Sequence, residues 1–383
     1  MIYLDHAAAT PLDPQVEESM RPFMAERFYN PSSLYTPARA IRTDIDNFRS
    51  KVGSLIGAKP SEIVFTAGAS ESISLAIGGV VRKHPEAEVL ISAVEHSAVI
   101  ESARGYASEV SIVPVDSRGT VRVEDIRDSI TDNTCLISVG YVNSELGTVQ
   151  PLRDISACVE EVREDRSKRG VDMPLLLHTD ASAAAEYLNI DCHLLGVDLL
   201  TLNGAKIYGP KQSGVLFVSH GVELEPLIYG GGQERGLRSG SESPAAIVGF
   251  AKALEIAQTG YKQESKRQAP LQKLLTERLG TIEGAVINST SKNRTPGIVN
   301  VSFPHVDGET LVHHLDANGV LAATGAACNA SDDKPNHVLE AIGADKSTIQ
   351  GSLRLSMGRQ TSRDDIEQAV DIITNVVSKL RHR

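Results

Sequence analysis

A lysine held between glycines is the first residue whose setting suggests chemistry. Lys206 lies in the segment 202–214, just beyond the apolar run 199–202, which is predicted to be a buried strand. A lysine beside a buried sheet can have the pKa of its ammonium group lowered, and it then acts as an imine-forming nucleophile. A solvated loop lysine is the alternative interpretation.

A turn of small residues has the pattern of an anion site. Residues 65–70 end one predicted strand and open a predicted helix over 71–81. The N–H groups at the start of a helix attract negative charge, and Ala69 and Ser70 are small enough to let a phosphate approach. The pattern predicts a phosphate cradle, and a plain helix N-cap at Ser70 is the alternative.

Two further polar residues directly follow predicted strands. Asp180 comes after the run 175–179, and a carboxylate buried there needs a cation, which the protonated ring nitrogen of a cofactor would supply. His96 follows the run 88–94, where an imidazole could stack on a planar cofactor and move protons near neutral pH. The alternatives are a helix N-cap for Asp180 and a structural role for His96.

A cysteine and an arginine in the last third of the chain complete the candidate set. Cys328 lies in the small, polar segment 323–334, where a thiol can reach into a site, whereas Cys135 and Cys158 are predicted to be buried. Arg354, on the predicted strand 351–356, could bind a carboxylate through its two-pronged guanidinium. A surface ion pair is the alternative for Arg354.

Together these residues indicate one cofactor. An imine-forming lysine, a phosphate cradle, a carboxylate for a ring nitrogen and an imidazole for the ring face are the groups that an enzyme using pyridoxal 5'-phosphate (PLP) requires. The sequence therefore predicts a PLP site built from Lys206, Ala69, Ser70, Asp180 and His96.

The elements that must position these residues follow an α/β pattern. Between residues 60 and 220, short apolar runs, among them 88–94 and 135–142, alternate with helical patterns, which is typical of a mostly parallel sheet covered on both faces. After residue 255 the pattern changes to a smaller α+β unit, which begins with a polar helical stretch at 261–279. The last predicted helix of this unit has one apolar stripe, formed by Ile366, Val370, Ile373, Val377 and Leu380. We predict a large domain at 15–255, with a seven-stranded sheet, and a small domain at 1–14 and 256–383 that carries the Cys328 segment.

Composition excludes several classes of protein. The 383 residues include 38 Lys and Arg against 49 Asp and Glu, a net charge of −11, which argues against direct nucleic-acid binding. The four cysteines include no C-x-x-C pair, so neither a disulfide framework nor a zinc site is expected. The first residues lack the basic region and the apolar region of a signal peptide, so none is expected, and no apolar run approaches about 18 residues. We therefore expect a cytoplasmic protein without membrane contact or metal.

Sequence blocks spread over nearly the whole chain carry a family resemblance. They are residues 3–11, 30–33, 65–72, 95–96, 142–147, 180–181, 206–211, 230–240 and 324–328. In these blocks the chain resembles the cysteine desulfurases, PLP enzymes of fold type I within the class V aminotransferase family, and more closely their group I branch. The resemblance implies a homodimer whose active sites take residues from both subunits.

The resemblance also assigns roles to individual residues. It implies that Lys206 holds PLP as a Schiff base, that Asp180 pairs with the pyridinium nitrogen, and that His96 stacks on the ring and manages protons. It implies substrate contacts from Asn30 and Arg354. The other cofactor contacts implied are Ala69, Ser70, Asn143, Asn203 and, across the dimer interface, Ser241 of the partner subunit.

The implied reaction takes sulfur from L-cysteine and releases L-alanine. The Cys328 thiolate would attack the substrate sulfur and keep it as a persulfide for a sulfur-acceptor protein of an iron–sulfur cluster or thiolation pathway. Selenocysteine lyase or another class V reaction is the alternative. Because Ala205, Ala183 and Ser74 replace longer polar residues of the family, weaker PLP binding or a non-catalytic assembly subunit is a further alternative.

Overall fold

The computed structural model describes residues 1–324 and 336–381, and its largest feature is a seven-stranded sheet. The strands of this sheet are β2 (Ile63–Thr66), β3 (Glu88–Ser92), β4 (Glu109–Val113), β5 (Thr134–Ser138), β6 (Leu176–Asp180), β7 (Leu199–Asn203) and β8 (Gly214–Val218). Their order is β2-β8-β7-β6-β5-β3-β4. Strand β8 runs antiparallel to both of its neighbours, β2 and β7, and the other four strand pairs are parallel, so the prediction of a mostly parallel seven-stranded sheet is confirmed.

Helices connect the strands and cover the sheet. They are α1 (Pro14–Ala25), α2 (Thr36–Leu55), α3 (Ala69–Lys83), α4 (Ser97–Tyr106), α5 (Val123–Ser129), α6 (Leu152–Arg169), α7 (Cys192–Leu195) and α8 (Pro244–Gly280). Every residue of β3, β5 and β8 is buried, as expected for strands with both faces covered.

Two smaller sheets lie near the chain ends. Their strands are β1 (Ile2–Tyr3), β9 (Val286–Ile287), β10 (Ile298–Ser302), β11 (Val320–Leu321) and β12 (Ser352–Ser356). Strand β1 pairs in parallel with β11, and β10 lies between β12 and β9 in an antiparallel sheet. The helices of this part are α9 (Gly308–Ala317), α10 (His337–Ala341), α11 (Lys346–Ile349) and α12 (Arg363–Arg381).

The apolar stripe predicted for the last helix forms part of the second core. Ile366, Val370, Ile373 and Val377 of α12 are at most 1% exposed. They pack with residues of β1, β10 and β12 in a cluster separate from the core of the large sheet. The N-terminus therefore belongs to the same packed unit as the C-terminal helix.

Helix α8 links the two cores without a break. Its first half contributes Ala257 to the core of the large sheet, and its second half contributes Leu275 and Leu279 to the core of the smaller unit. The predicted helical stretch 261–279 is thus the second half of a 37-residue helix. The boundary at residue 255 lies inside this helix and stays a prediction.

Candidate active site

The carboxyl ends of β3, β5, β6 and β7 meet at one edge of the large sheet, and a cavity of about 370 Å³ opens there. Ligands of open α/β sheets bind at this edge, because the strand-to-helix loops converge on it. The predicted site residues that line the cavity are Ala69, Ser70, His96, Asn143, Asp180, Asn203, Lys206 and Arg354. The fold therefore gathers residues from both predicted domains around one space.

Lys206 is held by the N-terminal segment. It ends the short 3-10 turn Gly204–Lys206 that follows β7 directly. Its Nζ donates hydrogen bonds to the carbonyl oxygens of Ala7 and Ala8, at 2.6 and 2.7 Å. The side chain is thus half-buried and oriented toward the cavity wall, which does not fit the alternative of a solvated loop lysine.

The helix that opens the predicted phosphate cradle begins at Ala69. Its N-cap is Gly68, so Ser70 lies inside the first turn and the N-cap alternative for Ser70 is wrong. Gly68 has φ +128°, a conformation that favours glycine, and a Cβ there would meet nothing within 4 Å. Gly214 allows the strand behind it to approach, since its own Cβ would lie 2.7 Å from Gly68 Cα. The first turn therefore faces open space, as an anion site requires.

Asp180 ends β6 and directs a turn into the cavity. Its Oδ1 accepts a hydrogen bond from the backbone N–H of Ser182 at 2.9 Å. Ser182 lines the same cavity, and its buried hydroxyl has no hydrogen-bond partner among the residues that the structure describes. Leaving a buried hydroxyl unpaired costs about 1 to 3 kcal/mol, so a polar ligand atom at this point would be favoured.

His96 is the N-cap of α4. Its Nδ1 accepts a hydrogen bond from the backbone N–H of Ala98 at 3.0 Å, which assigns the lone pair to Nδ1. Desolvation in the cavity is the main cause that lowers the pKa of His96, and Lys206 adds to it while Asp180 opposes it. The imidazole is therefore mostly neutral at pH 7, with its proton on Nε2.

Asn143 and Asn203, two of the predicted asparagines, shape the wall of the cavity through hydrogen bonds with the backbone. Asn143 Nδ2 donates to the carbonyl of Val94 at 2.9 Å, and its Oδ1 accepts from the backbone N–H groups of Glu145 and Leu146. Asn203 Oδ1 accepts from the N–H of Ala205 at 3.1 Å. Both side chains hold the turns that carry cavity residues.

Arg354 reaches the cavity from β12, and two carboxylates of the described part of the chain share its guanidinium. Glu145 Oε1 lies 2.6 Å from one terminal nitrogen and Asp5 Oδ1 lies 3.1 Å from the other. The Arg354 side chain is only 6% exposed, so the surface ion pair considered from sequence is instead a buried one. Burial raises the pKa of Glu145 to about 7, against the opposing effect of Arg354.

These groups fit PLP. Lys206 supplies the amine, the first turn of α3 supplies N–H groups for a phosphate, and Asp180 supplies a carboxylate for a ring nitrogen. The unpaired hydroxyl of Ser182 leaves one hydrogen bond for a polar ligand atom. A cavity of about 370 Å³ falls within the usual range for small cofactors.

Comparison with known proteins agrees with this chemistry. The profile of the class V aminotransferases matches residues 2–369. The chain belongs to the class V aminotransferase family. Members of this family use PLP, so the cofactor predicted from the sequence is confirmed.

Known proteins match this chain over nearly its full length. Cysteine desulfurase IscS 1 of Archaeoglobus fulgidus is 39% identical, covering 100% of this chain and 98% of that protein. Among solved structures, a NifS-like protein has a TM-score of 0.90 at 31% identity and covers 99% of both chains. SspA, solved in complex with cysteine, has a TM-score of 0.80 at 33% identity and covers 93% of this chain and 99% of that one.

Two predicted site residues, Asn30 and Ser241, are not among the described residues that line the cavity. Asn30 is exposed, and its Oδ1 accepts from the backbone N–H of Ser32 at 2.9 Å. Ser241 is exposed in a second cavity of about 320 Å³ beside Arg238. Cys328 lies outside the described residues. Its assignment, like those of Asn30 and Ser241, stays a prediction.

The structure confirms that Cys135 and Cys158 are buried, as their sequence context predicts. Cys192 is buried as well. Desolvation raises the pKa of the Cys135 thiol to about 12 and moves that of Cys158 upward as well. Buried thiols of this kind stay protonated and are poor nucleophiles at neutral pH.

Sequence reasoning missed several side chains of the site. Glu145, Ser182, Glu95 and His337 line the cavity, and Asp5 contacts Arg354. Glu95 accepts from Ser92 Oγ at 2.5 Å and from the N–H of Gly140 at 2.8 Å, and burial raises its pKa to about 7. Asp5, Glu95 and Glu145 all lie in sequence blocks that carry the family resemblance, which was the available signal.

Proposed function

We propose that this protein is a PLP-dependent cysteine desulfurase, which removes sulfur from L-cysteine and releases L-alanine. The observation that carries the proposal is the presence of Lys206 and Arg354 in the wall of one cavity. An imine-forming amine and a guanidinium on the same cavity suit an α-amino acid, because its amino group would react at the PLP held by Lys206 and its carboxylate would pair with Arg354. Full-length relatives named cysteine desulfurase support the choice of substrate.

Each of the main cavity residues would have its own role in the reaction. PLP, when bound, supplies an electron sink that stabilises negative charge at the substrate Cα. Lys206 is the amine placed to accept the Cα proton, since the carbonyl groups of Ala7 and Ala8 orient its Nζ. To take up a proton at Nδ1, the neutral imidazole of His96 would first release the backbone N–H of Ala98, which donates to that nitrogen. Arg354 would orient the substrate carboxylate.

Sulfur transfer would use the Cys328 thiolate. Its sulfur attacks the sulfur of L-cysteine, so a sulfur–sulfur bond forms while the substrate's carbon–sulfur bond breaks. The bonding electron pair stays with the carbon fragment, which takes up protons and leaves as alanine. Cys328 keeps the persulfide for a sulfur-acceptor protein. Because this step needs a thiolate and a reduced Cys328, we also propose a cytoplasmic location.

Covalent connectivity supports this use of Cys328. Ala323 pairs through its backbone with Arg354, at 2.7 and 3.3 Å, and Asn336 lines the cavity. The described residues on either side of the Cys328 segment therefore lie next to this cavity.

The decisive experiment measures alanine and sulfide formed from L-cysteine with PLP in excess. We expect a yellow protein whose activity and colour are both lost in Lys206→Ala, because the imine anchor is gone. We expect Cys328→Ser to keep the colour but to lose alanine formation by at least 100-fold. Colourless protein that added PLP cannot restore would indicate an assembly subunit instead.

Cys328→Ser also separates the desulfurase from its enzymatic alternatives. Unchanged alanine release in that variant would overturn the persulfide step and favour selenocysteine lyase or another class V reaction. Selenocysteine offered beside cysteine measures the preference directly. Sulfide release without added thiol would count against a protein-bound persulfide.

A homodimer with shared active sites is part of the proposal. Ser241 lies outside the cavity formed by its own chain, and Phe28 is 68% exposed while stacked on Tyr29, whose ring contacts Tyr35. An exposed aromatic group of this kind is typical of a protein interface.

In the described ranges, no helix is both long and apolar enough to cross a membrane.

A further inference from the structure

The charges around Arg354 do not balance once a substrate arrives. Among the described residues, Arg354 already contacts Glu145 at 2.6 Å and Asp5 at 3.1 Å, so at least two carboxylates share one guanidinium. An amino-acid substrate would bring a third carboxylate to the same group. Carboxylates that share a buried site repel one another, and the repulsion raises the pKa of at least one of them.

Glu145 is the carboxylate best placed to respond. It lines the cavity, whereas Asp5 is not among the lining residues. The Glu145 side chain is 13% exposed and that of Asp5 is 22% exposed, so water screens Glu145 less. The substrate carboxylate would therefore meet Glu145 on the cavity side of Arg354.

We propose that Glu145 takes up a proton when a substrate carboxylate binds to Arg354, and that it thereby sets the pH dependence of substrate binding. This inference rests on the proposed function, since it takes Arg354 as the carboxylate site. Glu145 is a positioning residue in this role, because it acts through the guanidinium of Arg354. The protonated Glu145 side chain releases Arg354 for the substrate.

The other charged and titratable groups around this point come from separate elements. Arg354 lies on β12 and Asp5 follows β1, while His337 begins α10 and His96 precedes α4. Asp180 and Lys206 line the cavity after β6 and in the turn after β7. Among the described residues, Arg354 favours the ionised form of Glu145 and Asp5 disfavours it, and burial is the larger effect.

The raised pKa of Glu145 determines whether carboxylate binding becomes stronger or weaker as the pH rises. With a pKa of about 7 in the free protein, Glu145 is mostly protonated below that pH and binding needs no proton uptake. Above pH 7 each binding event must also protonate Glu145, so affinity for a carboxylate falls about tenfold per pH unit. The loss continues until the pKa of the bound state is reached.

Propionate is a suitable probe, because it has a carboxylate but neither an amine nor a thiol. We would measure its inhibition constant against the PLP-loaded enzyme from pH 6 to pH 9. For the natural protein we expect this constant to rise about tenfold per unit above pH 7. For Glu145→Gln we expect values that match the natural protein at pH 6 and stay about ten- to a hundredfold lower at pH 9.

Two control variants test whether Glu145 is the group that takes up the proton. Glu145→Asp keeps a carboxylate and should retain the rise with pH. Glu95→Gln removes another buried carboxyl of the same cavity with a pKa of about 7, and the rise should persist because Glu95 contacts Ser92 and Gly140 rather than Arg354. The absorbance of bound PLP in each variant confirms that the protein is folded and loaded.

The outcomes separate this inference from the proposed function. Parallel pH curves for the natural protein and Glu145→Gln, in an enzyme that releases alanine from cysteine, would overturn the role of Glu145 alone. A rise that disappears in Glu95→Gln would assign the proton to Glu95 and also overturn it. Absence of alanine formation would overturn the proposed function instead.

Discussion

At the scale of single residues, the site has a buried hydroxyl without a partner among the described residues, and a polar ligand atom would supply one. Ser182 Oγ is buried beside Asp180 and has no partner among the described residues. Its sequence context gave no hint, because serine is common in turns. The burial of the hydroxyl and the direction of the turn after β6 make it informative.

Removing the Ser182 hydroxyl should weaken PLP binding without lowering the stability of the PLP-free protein. We expect Ser182→Ala to weaken PLP binding by about five- to tenfold, which corresponds to one hydrogen bond of about 1 kcal/mol. The PLP-free protein should be as stable as before or slightly more stable, because an unpaired buried group is removed. Fluorescence titration with PLP and thermal unfolding with and without PLP measure both effects.

Ser102→Ala provides the matched control. Ser102 is also buried, but its hydroxyl hydrogen-bonds to Ser74 at 3.0 Å and it does not line the cavity. This variant should lose a little stability and keep its PLP affinity. Equal PLP affinity in Ser182→Ala and the natural protein would contradict the role given to Ser182.

At the scale of elements, the apolar runs predicted the strands but extended beyond them. The run 88–94 continues past the end of β3 at Ser92, and the run 135–142 continues past the end of β5 at Ser138. Val94 and Val142 are apolar because they are buried in core clusters, although the chain has already left the sheet there. Hydrophobicity reports burial, and hydrogen bonding between strands decides where a strand ends.

The stripe on α12 makes a prediction about stability. Ile373 is fully buried in the core of the smaller unit, so Ile373→Ala should lower the free energy of unfolding by about 2 to 5 kcal/mol. Asn375→Ala, on the exposed side of the same helix, should change it by less than about 0.5 kcal/mol. Urea unfolding followed by circular dichroism compares the two. Equal effects would show that α12 does not contribute its stripe to a core.

At the scale of the whole molecule, the smaller unit completes the site of the larger one. Arg354 and the segment around Ala7 come from the unit that contains both chain ends, while Lys206 and Asp180 come from the large sheet. Arg359 also joins the two units, since it contacts Glu186 at 2.6 Å and lies over the ring of Tyr208. Substrate binding therefore depends on how the two units are held together.

Assembly of the proposed dimer gives a prediction at the same scale. We expect a mass in solution of twice the 41.0 kDa of one chain. Ser241→Ala should leave that mass unchanged and weaken PLP binding by about tenfold, because the partner subunit's site would lose one phosphate contact. Analytical ultracentrifugation and PLP titration measure these quantities. A PLP-loaded monomer would contradict shared active sites.

The sequence by itself determined the parallel α/β pattern, the apolar stripe of α12 and the residue types of a PLP site, because periodicity and strand ends are local features. Only the tertiary structure decided which of these residues meet. Arg354 shares its guanidinium with Asp5 and Glu145, which lie 349 and 209 positions away in the chain. No local pattern specifies such contacts, since packing between the two units creates them. The same packing buries Glu145, and burial is what moves its pKa toward neutrality.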